Sequence, residues 1–167
     1  MSRNEYLELM LKAKKVSESC VEMTEIVMPQ DTNTLGTIFG GKVMQWMDIA
    51  AAICGFRHCR TAVVTASVDS LSFVTPIKIG DIVSIRASVN FTAKTSLEIG
   101  VRVDAEEPLT GKKKHASSAY LTFVSVDGNN RPIAAPPVLP ESEIEKRRFQ
   151  EGQKRREIRL QLRGKKS

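Results

Sequence analysis

Asp48 is the residue in this sequence whose position most needs a chemical explanation. It lies in a stretch, Val43 to Phe56, that is apolar on every side of a helical projection and predicts a helix buried in a core. A carboxylate there costs several kcal/mol unless a partner compensates it, and no Lys or Arg lies three or four residues away. Asp48 is therefore either a satisfied structural carboxylate or a catalytic group.

Two glycines, Gly40 and Gly41, precede this helix and predict a second reactive position. N–H groups at a helix N-terminus have no partner within the helix, and they lie at the positive end of the helix dipole. Because neither residue has a side chain, a carbonyl oxygen can approach closely. A plain tight turn is the alternative interpretation. Asn33, in the polar loop before the glycines, is a candidate second polar group.

The spacing of these groups along the helix predicts a dimer. Asp48 lies seven residues beyond Gly41, which corresponds to about 10 Å at a rise of 1.5 Å per residue. Hydrogen bonds reach about 3 Å, so one site can contain both groups only if two copies of the chain build it. A two-fold axis would place the helix N-terminus of one copy beside the carboxylate of the other.

Other reactive residue types give no comparable pattern. His58 and His115 are far apart and have no ligands at metal spacing, so each is interpreted as a helix-end or surface residue and no metal is expected. The thiolate of Cys54 would be disfavoured among apolar residues, and no G-x-S-x-G elbow occurs. We expect no nucleophilic serine or cysteine of these types at the site.

The pattern around the helix predicts an α+β fold. A short amphipathic helix is predicted within residues 3–14 and a strand within Ser17 to Met28. After the long helix, which should end near Cys59, runs rich in Val, Ile, Ser and Thr predict antiparallel strands over residues 61–74, 81–93, 97–107 and 115–128. A sheet of five or six strands wrapped around one helix is the expected architecture.

Charge is concentrated at the C-terminus. The chain carries a net charge of +6, and residues 141–167 contribute +5 of it. We therefore predict one domain over residues 1–140, with a core at about 17–128, followed by a basic segment that forms a solvated helix and frays into a disordered tail. We expect a soluble, cytoplasmic protein with neither a membrane nor a nucleic-acid partner.

At the level of whole motifs, the sequence resembles a known family. The stretch PQDTNTLGTIFGGKVMQWMDIAAA, followed by RHCRTAVVTASVDSLSF, PIKIGD, KTSLEIGVRVDAE and LTGKKK, resembles the hot dog acyl-CoA thioester hydrolases. The similar group contains the brain-type cytosolic long-chain acyl-CoA hydrolase and its short bacterial relatives. The similarity runs from about residue 18 to residue 160.

The resemblance implies hydrolysis of fatty acyl-CoA to free acid and CoA, without a cofactor, by homodimers that commonly assemble as trimers of dimers. It implies that Asn33 and Asp48 come from opposite hot dog units to form one site. Gly41 would stabilise the oxyanion, while Asp48 would act either as general base or as nucleophile. Many members have His-Gly-Gly before the helix, where this chain has Phe39-Gly40-Gly41.

The resemblance also places the turn formed by Lys94, Thr95 and Ser96, together with Gly40, along the path of the CoA substrate. The GKKK turn and the basic segment are further candidates for its phosphates. A non-hydrolytic acyl-CoA-binding hot dog protein and a CoA-ester hydratase are the alternatives. A hydratase should pair an Asp with a His, and His58 lies ten residues past Asp48 on the same helix.

Overall fold

A long helix packed against a five-stranded antiparallel sheet forms the centre of the computed structural model, which describes residues 11–164. The helix, α1, spans Gly40–Cys59. In chain order the strands are β1 (Lys14–Lys15), β2 (Val21–Ile26), β3 (Ala62–Phe73), β4 (Ile82–Thr92), β5 (Ser96–Glu106), β6 (Lys113–Val126) and β7 (Val138–Leu139). The predicted α+β fold is confirmed. The predicted N-terminal helix lies almost entirely outside the described residues.

The five long strands follow the spatial order β2-β4-β5-β6-β3, and every neighbouring pair is antiparallel. Alternation along β4 and β5 turns one set of apolar side chains toward α1, among them Val83, Ile85, Ile99 and Val103, all completely buried. The short strands β1 and β7 pair with each other in parallel. No helix in residues 11–164 is long and apolar enough to cross a membrane.

One prediction about α1 is wrong for the isolated chain. The helix is buried on one side only: Met44, Ile49 and Phe56 are 43%, 40% and 48% exposed. A single sheet can cover only one side of a helix, and the apolar residues on the other side therefore face outward. Such an uncovered apolar helix face is typical of a surface that a further chain or a ligand covers.

Strand β3 lies at one edge of the sheet. It pairs with β6 on one side, and no strand of the described chain pairs with its other side. The register shifts at two points, at Ala66 and at Asp69, as β-bulges do. Val64 and Val68 on this edge are about half exposed, at 45% and 46%. A strand of this length with an open edge and a single charged residue is a ready site for pairing with another strand.

The basic C-terminal segment is a docked helix and not a solvated one. Helix α2 (Glu143–Gly164) lies on the face of the sheet opposite α1, because it contacts Glu98, whose neighbour Ile99 points toward α1. Phe149 meets Phe91 edge to face, with ring centroids 5.0 Å apart. The charged composition of the segment did not predict this docking, because the residues that contact the sheet include arginines.

Two ion pairs fasten α2 to the sheet. Arg155 makes a bidentate contact with Glu98, with distances of 2.7 Å from Nη2 and 3.0 Å from Nε, and its guanidinium lies 3.7 Å from the Tyr120 ring centroid. Arg159 Nη1 donates to Asp69 Oδ2 at 2.5 Å. The Glu98 side chain is only 2% exposed, so removing Arg155 would leave a buried charge whose remaining side-chain donor is the Asn90 amide.

Gly152 allows α2 to approach the sheet, and replacing it should loosen the helix. A Cβ at this position would lie 2.9 Å from Phe91 Cβ and 3.1 Å from Glu98 Oε1. We expect Gly152→Val to lower the free energy of unfolding by about 1–3 kcal/mol in urea titrations, although Val is the better helix former. Gln153→Val, at an exposed neighbour, should change it by less than about 0.5 kcal/mol. Equal stabilities of the two variants would contradict this packing.

Candidate functional site

Asp48 is half-buried in the isolated chain, where the sequence predicted full burial. Its Oδ1 accepts a hydrogen bond of 2.8 Å from the Thr65 hydroxyl on β3. Within residues 11–164, no cation lies within ion-pairing distance of it. The carboxylate is therefore held in place by a neutral donor on the open edge strand, and its remaining acceptor positions are available to water or a ligand.

Thr65 is the residue of this site that the sequence interpretation missed. It belongs to a strand rich in serine and threonine, and nothing in its local pattern distinguishes it from its neighbours. Only the packing of α1 across β3 brings its hydroxyl to Asp48. The signal that could have found it is three-dimensional, because the two residues are 17 positions apart in sequence.

Asn33 organises the loop that leads into α1. Its Oδ1 accepts the N–H groups of Leu35 at 2.9 Å and Thr37 at 3.3 Å, and its Nδ2 donates to Thr37 Oγ1 at 3.0 Å. This is an Asx-type turn, in which one side chain satisfies nearby backbone groups. One Nδ2 hydrogen is left for another acceptor, because the amide carries two.

A second anchor joins this loop to the first turn of α1. The Asp31 carbonyl accepts the Phe39 N–H at 2.9 Å, and its carboxylate lies 3.2 Å from Lys42 Nζ. Asp31 itself is buried. These two contacts hold the loop and the first turn of α1 in a fixed position relative to each other.

Gly40 and Gly41 have different surroundings. A Cβ on Gly40 would lie 3.3 Å from Cζ of Phe73, so this glycine permits close contact between the helix and the end of β3. A Cβ on Gly41 would meet nothing within 4 Å. No acceptor in the described part of the chain takes the Gly41 N–H. This N–H therefore faces open space at the positive end of the helix dipole.

The predicted site residues divide into two groups in one chain. Asn33, Gly40 and Gly41 lie where β3 ends at Phe73. Asp48 lies near the beginning of β3, at Thr65. The helix itself keeps Asp48 about 10 Å from Gly41 along its axis, beyond hydrogen-bond reach. One chain therefore does not assemble the complete site.

The turn of Lys94, Thr95 and Ser96 lies at the same end of the sheet as Thr65, two strands away. The sheet register places Leu97 on β5 opposite Phe123 on β6, and Phe123 opposite Thr65. The backbone of the turn is fixed, since the carbonyls of Lys94 and Thr95 each accept an N–H at 2.9 Å, from Ala135 and Ser125. The exposed Lys94 side chain is available to an anion.

The remaining titratable residues serve the core. His58 is completely buried, with Nε2 at 3.0 Å from the Pro136 carbonyl and Nδ1 at 3.3 Å from Ser19 Oγ, so it forms no pair with Asp48. Burial lowers the pKa of His58 and raises the pKa of Cys54 to about 12, which makes Cys54 a poor nucleophile. No group of three or more His, Cys, Asp or Glu that could hold a metal occurs in residues 11–164.

A cavity of about 560 Å³ lies away from these residues, between the outer face of the sheet and α2. Its polar lining includes Arg86, Arg102, Arg147 and Glu151. The two sheet arginines are both paired with Asp104, and Arg147 lies 3.7 Å from Glu151. The cavity contains none of the predicted site residues.

Comparison with known proteins gives consistent matches. Residues 35–112 match the family model described as the thioesterase superfamily. YkhA of Bacillus subtilis, an acyl-CoA thioester hydrolase by name, is 43% identical over 128 residues, covering 77% of this chain and 74% of its own. The rat cytosolic acyl coenzyme A thioester hydrolase is 39% identical over 142 residues, 84% of this chain and 37% of its own, so this chain spans little more than a third of that protein.

Similar solved structures are also of acyl-CoA hydrolases and thioesterases. The Staphylococcus aureus acyl-CoA hydrolase in complex with butyryl coenzyme A, coenzyme A and coenzyme A disulfide has a TM-score of 0.86 and 38% identity, covering 92% of this chain and 94% of its own. An apo-hexameric acyl-CoA thioesterase has a TM-score of 0.88 and 39% identity, covering 90% of this chain and 97% of its own. Variants of the S. aureus enzyme carry alanine in place of an aspartate, an asparagine and a threonine.

The buried neutral state of His58 predicts a pH-dependent stability. Its folded pKa lies below the ordinary value of 6.5, so the unfolded chain binds an extra proton as the pH falls. We expect the free energy of unfolding to fall from about pH 7 to pH 5, by at most about 1.4 kcal/mol per pH unit from this residue. In urea titrations, His58→Gln should no longer show this fall in the free energy of unfolding. The substitution His115→Gln, at a half-buried position, should leave the fall unchanged. An unchanged pH slope in His58→Gln would contradict the assignment.

Proposed function

The chain belongs to the acyl-CoA thioester hydrolase family of the thioesterase superfamily, and from this premise we propose that it hydrolyses fatty acyl-CoA to a free fatty acid and CoA at sites shared between two copies of the chain. The observation that carries the proposal is that the polar groups of the site lie near opposite ends of β3. The carboxylate lies near the beginning of β3 and the free N–H of Gly41 lies near its end.

Antiparallel pairing of two β3 edges would unite the groups. If Thr65 of one copy lies opposite Phe73 of the other, Asp48 comes to lie beside the partner's Gly40 and Gly41. The axis of this two-fold arrangement passes near Asp69, midway between them. Each dimer then contains two complete sites. The open edge of β3 and its half-exposed valines support the same pairing.

The apolar residues exposed on α1 support a fatty acyl substrate. Met44 lies one helical turn before Asp48 and Ile49 directly follows it, and both are about 40% exposed. A hydrocarbon chain whose thioester lies at Asp48 would contact these side chains and exclude water from them. The length of chain that fits depends on how the partner closes this surface.

The Staphylococcus aureus variants support the choice of residues. In that enzyme the altered asparagine lies fifteen residues before the altered aspartate, and the altered threonine lies seventeen residues after it. Asn33, Asp48 and Thr65 have the same two spacings in this chain. We therefore include Thr65 in the site as the residue that holds the carboxylate.

In the proposed reaction the thioester carbonyl oxygen accepts the Gly41 N–H of one copy, and Asn33 of that copy donates its remaining amide hydrogen to the carbonyl or to water. Asp48 of the other copy removes a proton from water, whose oxygen attacks the carbonyl carbon, and the C–S bond then breaks. The departing CoA thiolate takes up the proton. Direct attack by Asp48, followed by hydrolysis of the anhydride, is the second route.

Relatives support two further parts of the proposal. A hexameric acyl-CoA thioesterase of the same fold supports a trimer of dimers as the complete assembly. The rat relative is named as cytosolic, which supports a cytosolic setting for this chain. We propose that the reaction proceeds without a metal or cofactor, since the groups named above account for each proton transfer.

Asp48→Asn should abolish most of the activity while the dimer remains intact. Asparagine keeps the shape of the side chain and can still accept the Thr65 hydrogen bond, but it cannot serve as a base or a carboxylate nucleophile. We expect kcat to fall by about two orders of magnitude or more, measured as free thiol released from acyl-CoA. Asp127→Asn, in a turn outside the site, is the matched control. Parental turnover in Asp48→Asn would overturn the proposed site.

Lys94→Ala should weaken binding of the CoA nucleotide without changing the chemistry. The Lys94 side chain is exposed at the end of the sheet where β3 begins, and its ammonium can contact a phosphate. We expect the KM for acyl-CoA to rise by about three- to tenfold at constant kcat, while the KM for the matching acyl-pantetheine stays constant because that substrate lacks the nucleotide. Lys154→Ala, on the exposed side of α2, serves as control. An equal rise in KM for acyl-CoA and acyl-pantetheine would exclude a phosphate contact.

A further inference from the structure

Helix α2 crosses the outer face of the sheet from one side to the other. Phe149 and Gly152 pack on Phe91 of β4, and Arg155 follows on Glu98 of β5. One turn later, Arg159 reaches Asp69 of β3. The helix therefore runs toward the open edge of the sheet, and its contact with β3 is its last contact with the sheet.

Beyond Arg159 the helix continues for five residues. Every residue from Leu160 to Gly164 is exposed, although the helix itself is unbroken to Gly164. We call residues 160–164 the overhang. At 1.5 Å per residue it extends about 7 Å beyond Arg159 along the helix axis. Leu160 and Leu162 on it are 44% and 59% exposed, and Ile158 just before it is 56% exposed.

The position of Arg159 determines what the overhang would meet. Its partner Asp69 accepts hydrogen bonds from Ser67, at 2.9 Å, and Thr122, at 2.8 Å, so the bulge that carries Asp69 is fixed to both β6 and α2. In the dimer proposed above, the two-fold axis passes near this same residue. The end of α2 in each copy therefore lies over the seam, the line along which the two β3 strands would pair.

We propose that the overhang is a second dimer contact, in which the last turns of α2 from the two copies pack side by side across the two-fold axis on the outer face of the joined sheet. This inference rests on the proposed β3 pairing. Ile158 and Leu162, one turn apart on the same side of α2, would be covered by the partner helix, which removes their apolar surface from water. The contact would hold the two β3 strands in the register that brings Asp48 to the partner's Gly41.

Crosslinking tests this geometry directly. In a Cys20→Ser background, which removes the exposed thiol and leaves the buried Cys54 and Cys59, Leu162→Cys probes the overhang and Ser70→Cys probes the seam. A short bismaleimide reagent should join two copies through either cysteine alone. Ile144→Cys, exposed in the first turn of the same helix, is the control and should give no dimer.

The outcomes separate this inference from the proposed function. Linking at Ser70→Cys without linking at Leu162→Cys overturns the overhang contact and leaves the shared site standing. No linking at either position overturns both. A variant with both cysteines should give only covalent dimers on a denaturing gel, because both links join the same pair of chains. Species larger than a dimer would show that the overhang contacts a different pair, which also overturns the inference.

Dimer affinity provides an independent measurement. Replacing both Ile158 and Leu162 by Glu should raise the dimer dissociation constant by about tenfold or more, since two apolar side chains that the partner covers are exchanged for charges. Ile144→Glu at the other end of the helix should leave the constant unchanged. Equal constants for the parent and the double variant in sedimentation experiments would contradict a contact at the overhang.

Discussion

A rigid helix that separates two reactive groups is the constraint on which the rest of this structure depends. Asp48 and the Gly41 N–H share α1, and the fixed rise of that helix keeps them about 10 Å apart. Each group is anchored to a different end of β3, through Thr65 and through Phe73. Since β3 is an edge strand, two copies can pair through it in antiparallel fashion. The Thr65 end of one β3 then lies beside the Phe73 end of the other, which brings Asp48 of one copy to Gly41 of its partner. In this account, activity and dimerisation have the same structural cause.

The outer face of the sheet contributes to this arrangement from the side opposite α1. Ion pairs at the buried Glu98 and the partly buried Asp69 direct α2 across the strands to the edge where the copies would meet. Pairs of this kind add little net stability compared with apolar packing, but they specify where a helix docks, because a misplaced helix would leave a buried carboxylate without a partner. Gly152 sets how closely α2 can approach.

The sequence predicted the long helix, the four strands after it and the division between Asp48 and Gly41, because periodicity and helix geometry are local properties. It failed for Met44 and Phe56, since an apolar pattern does not reveal whether a sheet or a second chain covers each side. It also missed Thr65, which only strand register brings to Asp48, and the docking of α2, whose contacts are made largely by arginines. The roles of all the site residues, Asp48 and Gly41 included, remain predictions.

The most direct test of a site shared between chains is subunit complementation. Co-expressing the Asp48→Asn chain with an Asn33→Asp chain, whose carboxylate can still accept the Leu35 and Thr37 N–H groups, gives mixed dimers with one intact site each. Each variant alone should be nearly inactive. With random pairing, the mixture should recover about a quarter of the parental rate of acyl-CoA hydrolysis, because about half of the dimers are mixed. A mixture no more active than its two components would show that each site is built within one chain, and would contradict the account.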